Sequence, residues 1–150
     1  MVYTIGEISN ILNIPASTLR FYDKKGILPI MERSSGGIRM FKDSDLEFLK
    51  IIECLKKSGL SLSEIKDFID MADQGDKTLE ERYQLFENRK IEVERQMQEL
   101  QETLDIVNYK CWFYKTAKEL GSSEKVQQLK PNEIPVEFQE TLKKLKNTNS

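Results

Sequence analysis

The residue with the strongest potential for covalent chemistry in this sequence is Cys54. Lys50 and Lys57 lie four residues before it and three residues after it, a spacing that places the three side chains on one face of a helix. Nearby ammonium groups favour the thiolate form of a cysteine, and a thiolate attacks electrophiles. The alternative is a small cysteine that fills helix packing, which is the commoner role of a lone cysteine inside a cell.

The rest of the sequence offers little for catalysis or for metal binding. The chain contains two cysteines and no histidine, so neither a disulfide framework nor a Cys/His zinc cluster is predicted. It also lacks a glycine-rich phosphate loop and a motif that pairs a nucleophile with a base. We therefore expect a protein without enzyme activity, cofactor or metal site.

Basic residues are concentrated near the N-terminus, although the whole chain has a net charge of −2. Residues 1–42 contain six basic side chains against three acidic ones, whereas residues 43–75 contain four against eight. The first 42 residues are therefore expected to face the phosphates of a nucleic acid. The six bases are Arg20, Lys24, Lys25, Arg33, Arg39 and Lys42.

The composition predicts one or two small globular units, because 39% of the 150 residues are hydrophobic and 32% are charged. No apolar run reaches the roughly 18 residues that a membrane span needs, and Glu7 interrupts the apolar stretch near the N-terminus. We expect a cytoplasmic protein that has no membrane partner.

The first 26 residues have the pattern of a helix-turn-helix. Thr4 and Glu7 have the spacing of a capping box, and apolar residues then recur at helical spacing up to Asn13. A second short helix is predicted between Pro15 and Gly26. In a helix-turn-helix the N-terminal residues of the second helix point at base edges in the major groove. Those residues are Ala16, Ser17 and Thr18.

A small β-hairpin is predicted after the second helix. Residues 27–29 and residues 38–41 are apolar or alternate in polarity, and residues 32–37 between them form a polar loop with two glycines. Such a hairpin next to a helix-turn-helix would form a wing.

Two further helices are predicted after the wing. Ser44 and Glu47 have capping-box spacing at the start of the third helix, which Gly59 would end. Ser61 and Glu64 open the fourth helix in the same way. Residues 1–75 thus form a predicted winged helix-turn-helix domain.

Residues 76–120 contain neither glycine nor proline and predict one helix of about 45 residues. Ten of its eleven heptad positions are apolar or aromatic, so this helix needs a partner helix. The chain has no second heptad segment, which favours a two-fold homodimer over a helix packed on its own domain. The heptad positions are Leu79, Tyr83, Phe86, Lys90, Val93, Met97, Leu100, Leu104, Val107, Cys111 and Tyr114.

Residues 121–150 are predicted to be a short, partly disordered tail with at most one short helix, around residues 136–145. A large drug-binding domain has no room there. Cys111 occupies a core position of the heptad and is expected to pack rather than to react. Residues 112–114 form an aromatic cluster that could cover part of the partner's DNA-binding domain.

Several strings in the first 70 residues resemble the MerR transcription regulators. They are YTIGE at residues 3–7, TLRFYDKKGIL at residues 18–28, GIRMF at residues 37–41 and LKKSGLSLSEIK at residues 55–66. The long helix that follows agrees in place and length with the family's dimerisation helix. The resemblance implies a mainly α fold in which a winged helix-turn-helix domain precedes a long antiparallel coiled coil.

The resemblance also implies how such a protein would act. A dimer would bind an inverted-repeat operator in double-stranded promoter DNA and distort it, so that RNA polymerase is affected indirectly through DNA shape. By position, Ser17, Thr18 and Arg20 would lie on the recognition helix and Tyr22 near the DNA backbone. Arg39 would contact phosphate from the wing, with Arg33 as a weaker candidate. The alternatives are ordinary solvated bases and, for Tyr22, a core aromatic.

Residues 51–59, 74–82 and 108–110 resemble the NmlR/AdhR branch of the family. This branch responds to reactive aldehydes and related electrophile or nitrosative stress through a cysteine at the position of Cys54, which makes Cys54 the expected sensor. Two alternatives stay open at this point. One is a MerR regulator that senses a metal or a small ligand, and the other is a coiled-coil adaptor that binds proteins and not DNA.

Overall fold

The structure is a computed structural model that describes residues 1–28 and 35–148. The chain divides into two compact units, Met1–Ile91 and Glu92–Ser150. The predicted mainly helical class and the long helix are both confirmed. The segment boundaries predicted after residues 75 and 120 stay predictions.

The first unit contains a small sheet and the first helices of the chain. In chain order its elements are β1 (Val2–Thr4), α1 (Ile5–Leu12), α2 (Ala16–Lys24), β2 (Met40–Lys42), α3 (Asp43–Lys57), α4 (Leu62–Asp73), a 3-10 turn (Gly75–Thr78) and the start of α5 (Leu79–Leu120).

Two of the predicted capping boxes are present. The backbone N–H of Thr4 donates to the Glu7 carboxylate at 2.7 Å, and the N–H of Glu7 donates to Thr4 Oγ1 at 3.3 Å. Ser61 and Glu64 exchange the same pair of bonds at 2.7 and 3.1 Å. These bonds satisfy N–H groups that the first turn of a helix otherwise leaves without a partner.

The prediction that Ser44 and Glu47 cap the third helix is wrong. α3 begins at Asp43, so its N-cap is Lys42, two residues before Ser44, and the backbone N–H of Lys42 donates to the Asp45 carboxylate at 2.7 Å. The reason is that β2 ends at Lys42 in extended conformation and the chain enters the helix directly from the strand.

The strand predicted within residues 38–41 is present as β2. Among the described residues, it pairs with a strand at the N-terminus and not with a neighbouring strand of a hairpin. β2 pairs antiparallel with β1, and Tyr3 lies opposite Phe41. Ile27 and Leu28, which were assigned to the first arm of a hairpin, are buried in the core. The other part of that arm and Arg33 of the loop lie outside the described residues.

The core of the first unit joins α1 to α4 with the sheet. Ile8, Leu19, Leu49 and Ile65 are each fully buried, one from each of the four helices. The full cluster consists of Ile8, Ile14, Leu19, Tyr22, Ile27, Leu28, Phe41, Leu49, Ile52, Leu55, Leu60 and Ile65. Burial of this apolar surface is the main term that stabilises the unit.

The first turns of α5 belong to the same unit. Leu85 packs against the core, and the Phe86 ring meets the Phe68 ring edge to face with centroids 5.4 Å apart. The Arg89 guanidinium donates to the Ser58 carbonyl at 2.6 Å, at the end of α3. Gly59 follows with φ +89°, and a Cβ there would collide with that guanidinium.

The second unit contains the rest of α5, then α6 (Ser123–Gln127), a 3-10 turn (Pro131–Glu133) and α7 (Val136–Thr148). The prediction of at most one short helix after Gly121 is therefore wrong. Phe138 of α7 packs on Trp112 and Tyr109, with ring centroids 5.6 and 6.2 Å apart. This packing gives residues 121–148 their structure. It joins residues far apart in the chain, so local sequence patterns do not show it.

The helices of residues 1–28 and 35–148 include none that is both long enough and apolar enough to span a lipid bilayer.

Candidate nucleic-acid interface

The turn between α1 and α2 is held by local hydrogen bonds. Asn13 has a left-handed backbone at φ 53°, and its N–H donates to the Ser9 carbonyl. The Ser9 hydroxyl donates to the Ile14 carbonyl at 2.6 Å, and the Ile14 side chain is buried. These contacts fasten the turn to α1 and to the core, which limits the orientations that α2 can take relative to α1.

α2 buries one face and exposes the other. Leu19 and Tyr22 point into the core, whereas Ser17, Arg20 and Lys24 are exposed. The exposed positions recur at the spacing of one helix face, so Ser17 and Arg20 of the predicted site lie side by side on it. The predicted Thr18 is half-buried at the edge of this face. We call this surface the outer face of α2, and it consists of Ser17, Arg20, Phe21 and Lys24.

Two members of the outer face, Phe21 and Lys24, were not predicted as site residues. Phe21 is 42% exposed, and the Lys25 ammonium lies 5.6 Å from the centre of its ring. The signal that could have found both is their helical spacing from Ser17. The hydrophobic type of Phe21 instead suggests the buried face of a helix.

Arg39 lies beside α2 and is not an isolated solvated base. Its guanidinium forms an ion pair with the Asp23 carboxylate near the end of α2, and both side chains are half-buried. The pair fastens the segment before β2 to α2. A phosphate that contacted Arg39 would therefore compete with Asp23 or share the guanidinium with it.

Tyr22 is a core residue of the first unit, only 1% exposed. Its hydroxyl donates to the Glu53 carboxylate at 2.8 Å and accepts from the Lys56 ammonium at 2.5 Å. Burial raises the pKa of Tyr22, and the hydrogen bond to Tyr22 raises the pKa of Lys56. The arrangement agrees with the alternative that Tyr22 is a core aromatic. A contact of Tyr22 with the DNA backbone stays a prediction.

Cys54 is exposed on α3 and lines a surface groove with Lys50 and Lys57, as their spacing predicted. Leu12 and Asn13, from the end of α1, form the opposite side of that groove. The Lys50 ammonium donates to the Glu47 carboxylate at 2.7 Å, so part of its charge is already compensated. Among the residues that the structure describes, no group of acids and cysteines is placed to hold a metal ion.

The heptad positions of α5 that lie in the second unit are largely uncovered in the single chain. Met97 is 66% exposed and Leu100 is 70% exposed. Leu104, Val107, Cys111 and Tyr114 are exposed as well, and Val93 is half-buried. Of the positions in the first unit, Phe86 is in part covered by Phe68.

Comparison with known proteins adds the relatives of this chain. Residues 3–72 match the family model described as MerR HTH family regulatory protein, and residues 46–107 match the model described as MerR, DNA binding. An HTH-type transcriptional regulator of Haemophilus influenzae is 47% identical over 81% of this chain and 90% of its own length. The chain belongs to the MerR family. The family resemblance expected from the sequence is thereby confirmed.

Individual relatives of this MerR protein are found among solved structures and among known sequences. HiNmlR, described as a MerR family regulator lacking the sensor domain and bound to promoter DNA, is 46% identical, with a TM-score of 0.65 over 83% of this chain and 98% of its own. A MerR family protein of Listeria monocytogenes is 26% identical, with a TM-score of 0.68 over 99% of both chains. The HTH-type transcriptional regulator ZntR of Escherichia coli is 32% identical over 67% of this chain and 72% of its own. These relatives are regulators, in agreement with the expectation that the chain is not an enzyme.

Proposed function

We propose that this MerR protein is a dimeric transcription regulator that binds promoter DNA with α2 in the major groove. The observation that carries the proposal is the outer face of α2, where Ser17 and Arg20 stand exposed beside Lys24 on a helix held firmly by the core. An exposed arginine on such a helix suits bidentate hydrogen bonding to a guanine edge. HiNmlR, a close relative, was solved bound to promoter DNA.

Contacts to the DNA backbone would position the recognition helix. Lys24 and Lys25 follow Arg20 at the end of α2, and Arg39 is fastened to the same helix through Asp23. Phosphate contacts from these bases fix the register on the duplex without reading sequence. They provide the strongly salt-dependent part of the affinity.

A second copy of the chain would cover the exposed heptad positions of α5. Leu100 and Met97 are too exposed for apolar side chains that recur at heptad spacing along a helix. An antiparallel pair of these helices, as the family resemblance implies, would present two copies of α2 to an inverted-repeat operator. The dimer would act on RNA polymerase indirectly, through the shape of promoter DNA, in the bacterial cytoplasm.

DNA binding is tested with the promoter region of the protein's own gene. Arg20→Ala should weaken binding by about 1–3 kcal/mol, which is roughly 5-fold to 150-fold. Lys77→Ala, which removes an exposed base of the 3-10 turn, is the matched control and should bind as the parent does. Affinity measured by fluorescence anisotropy should fall steeply as salt rises. If Arg20→Ala and Lys77→Ala bind as tightly as the parent at moderate salt, the proposed role of α2 is wrong.

We further propose that Cys54 is the sensor and that it reacts with small electrophiles such as formaldehyde or methylglyoxal. Its support is the exposed thiol in a groove shared with Lys50 and Lys57. The groove also touches Asn13, in the turn that sets the orientation of α2, and adjoins Glu53, which is bonded to Tyr22 of α2. A modification of Cys54 would therefore occur next to two contacts that hold the recognition helix.

The sensor role is tested by transcription in vitro with and without the aldehyde. Cys54→Ser should abolish the response, whereas Cys111→Ser, which removes the other exposed cysteine, should leave it intact. An equal response of the parent and Cys54→Ser would return Cys54 to a packing role. DNA binding measured on the same preparations separates a failed sensor from a failed regulator.

A further inference from the structure

A cavity of about 430 Å³ lies within the second unit, between α5, α6 and α7. Its apolar walls come from Tyr109, Trp112 and Phe113 of α5 and from Val126 of α6, and Tyr109 and Val126 are less than a tenth exposed. The loop between α6 and α7 closes one side through Leu129 and Ile134. Pockets of this size, with aromatic walls and few polar groups, are typical of small-molecule sites.

The loop that closes the cavity is fastened by a side chain of α7. The Gln139 amide donates to the Pro131 carbonyl at 3.2 Å and to the Ile134 carbonyl at 3.3 Å. These bonds connect the loop to the first half of the helix. The cavity therefore has a wall held by hydrogen bonds and does not depend on loosely packed side chains alone.

The polar rim of the cavity carries positive charge only. Lys143 and Lys146 lie on the face of α7 that lines it, and no aspartate or glutamate is among its lining residues. Within residues 1–28 and 35–148, neither ammonium is paired with a carboxylate, whereas the neighbouring Lys144 is 3.8 Å from Glu140. Two unpaired ammonium groups at the mouth of an apolar cavity favour an anion.

We propose that this cavity binds a small amphipathic carboxylate. The apolar body of the ligand packs against Tyr109 and Trp112, and its carboxylate lies between Lys143 and Lys146. This site goes beyond the proposed function, because it involves neither DNA nor Cys54. The ligand class follows from the combination of aromatic walls with a basic rim that has no acidic member.

Trp112 makes the proposal directly measurable, because it is the single tryptophan of the chain and lines the cavity. The full-length protein is titrated with phenylacetate, 4-phenylbutyrate and octanoate, and tryptophan emission is recorded. Calorimetry on the same pairs supplies the stoichiometry. The neutral 4-phenylbutan-1-ol is the matched ligand without charge. We expect 4-phenylbutyrate to bind with one site per chain and more tightly than the alcohol.

The role of the rim is tested by a double variant and a matched control. Lys143→Gln with Lys146→Gln should weaken binding of 4-phenylbutyrate about threefold to tenfold and leave binding of the alcohol unchanged. The expected effect is modest because both ammonium groups are exposed to solvent. Lys144→Gln removes the same charge from the same helix outside the cavity and should change neither.

Three results would overturn the proposal. The first is that none of the carboxylates changes Trp112 emission or releases heat up to the millimolar range. The second is that the alcohol binds as tightly as the carboxylate, which would make the site merely apolar. The third is that emission shifts with protein concentration and not with ligand, which would show that a second copy covers the cavity. None of these results depends on whether the protein binds DNA.

Discussion

The two units of this chain bury their apolar side chains to different extents. In the first unit, four helices and a two-stranded sheet enclose a continuous core, and Leu19, Leu49 and Ile65 are fully buried. In the second unit, α5 leaves Met97 and Leu100 about two-thirds exposed, and the buried side chains are gathered near α6 and α7. The core of the first unit is thus enclosed within one chain, although the heptad positions Leu79 and Tyr83 at the start of α5 are more than half exposed. The apolar stripe of the second unit stays exposed among the described residues, as expected for a helix that pairs with a second copy.

The largest loss in the free energy of unfolding is expected in the core of the first unit. Leu49→Ala leaves a cavity among α1 to α4 and should reduce the free energy of unfolding by about 2–5 kcal/mol. Leu100→Ala is the matched control at an exposed position and should cost less than about 0.5 kcal/mol in the monomer. Urea denaturation at low protein concentration measures both. Equal losses would contradict the division into a complete and an incomplete unit.

A charge placed among the exposed heptad positions of α5 tests whether these positions form the dimer interface. Leu100→Glu should raise the dissociation constant of the dimer by more than about a hundredfold, because two symmetry-related carboxylates would be buried in the helix pair. Gln98→Glu adds the same charge at a position outside the heptad stripe and should leave dimerisation nearly unchanged. Analytical ultracentrifugation measures the dissociation constants. If Leu100→Glu dimerises like the parent, α5 is not the dimer interface.

A smaller effect is expected at the helix caps. Ser61→Ala removes the hydrogen bond to the Glu64 N–H at the start of α4 and should cost about 1 kcal/mol of unfolding free energy. Ser122→Ala removes a similar bond, 3.3 Å long, at the start of α6. Because α6 has only five residues and lies in the second unit, this change should not shift the transition of the first unit. Thermal unfolding followed by circular dichroism distinguishes the two variants.

The smallest predicted effect is a pH dependence at the same cap. Backbone and side-chain hydrogen bonds from Ser61 hold the pKa of Glu64 below its ordinary value of 4.5. A lowered folded-state pKa contributes stability above that ordinary value, and the contribution is lost as pH falls through the folded-state pKa. Glu64→Gln should therefore lose less stability than the parent between about pH 7 and about pH 3. Urea midpoints that fall in parallel would show that Glu64 contributes nothing to the pH dependence.

Much of the local structure could be predicted from residue types and spacing. Thr4 with Glu7 and Ser61 with Glu64 form the expected capping boxes, and Gly26, Gly59 and Gly121 follow helix ends with positive φ. These features depend on bonds between residues that are a few positions apart, so the pattern contains the information needed. The exposed positions of Ser17 and Arg20 follow from helical periodicity in the same way.

Features that depend on distant residues could not be predicted in this way. Among the described residues, β2 pairs with β1 near the N-terminus and not with a neighbouring strand. Tyr22 is buried with its hydroxyl between Glu53 and Lys56. Phe138 packs on Trp112. Periodicity shows that a side chain prefers burial but not which distant group it will meet. The cavity of the second unit belongs to this class, since its walls come from three helices and a loop.

For this protein, the sequence by itself determined helices α1 to α5, the capping boxes of α1 and α4, the family and the basic character of the N-terminal region, because each depends on short-range order along the chain. Tertiary structure decided which of the candidate residues face solvent. It joined Arg39 to Asp23 and buried Tyr22. The physical reason is that burial and ion pairing depend on neighbours in space, which the chain brings together only when it folds.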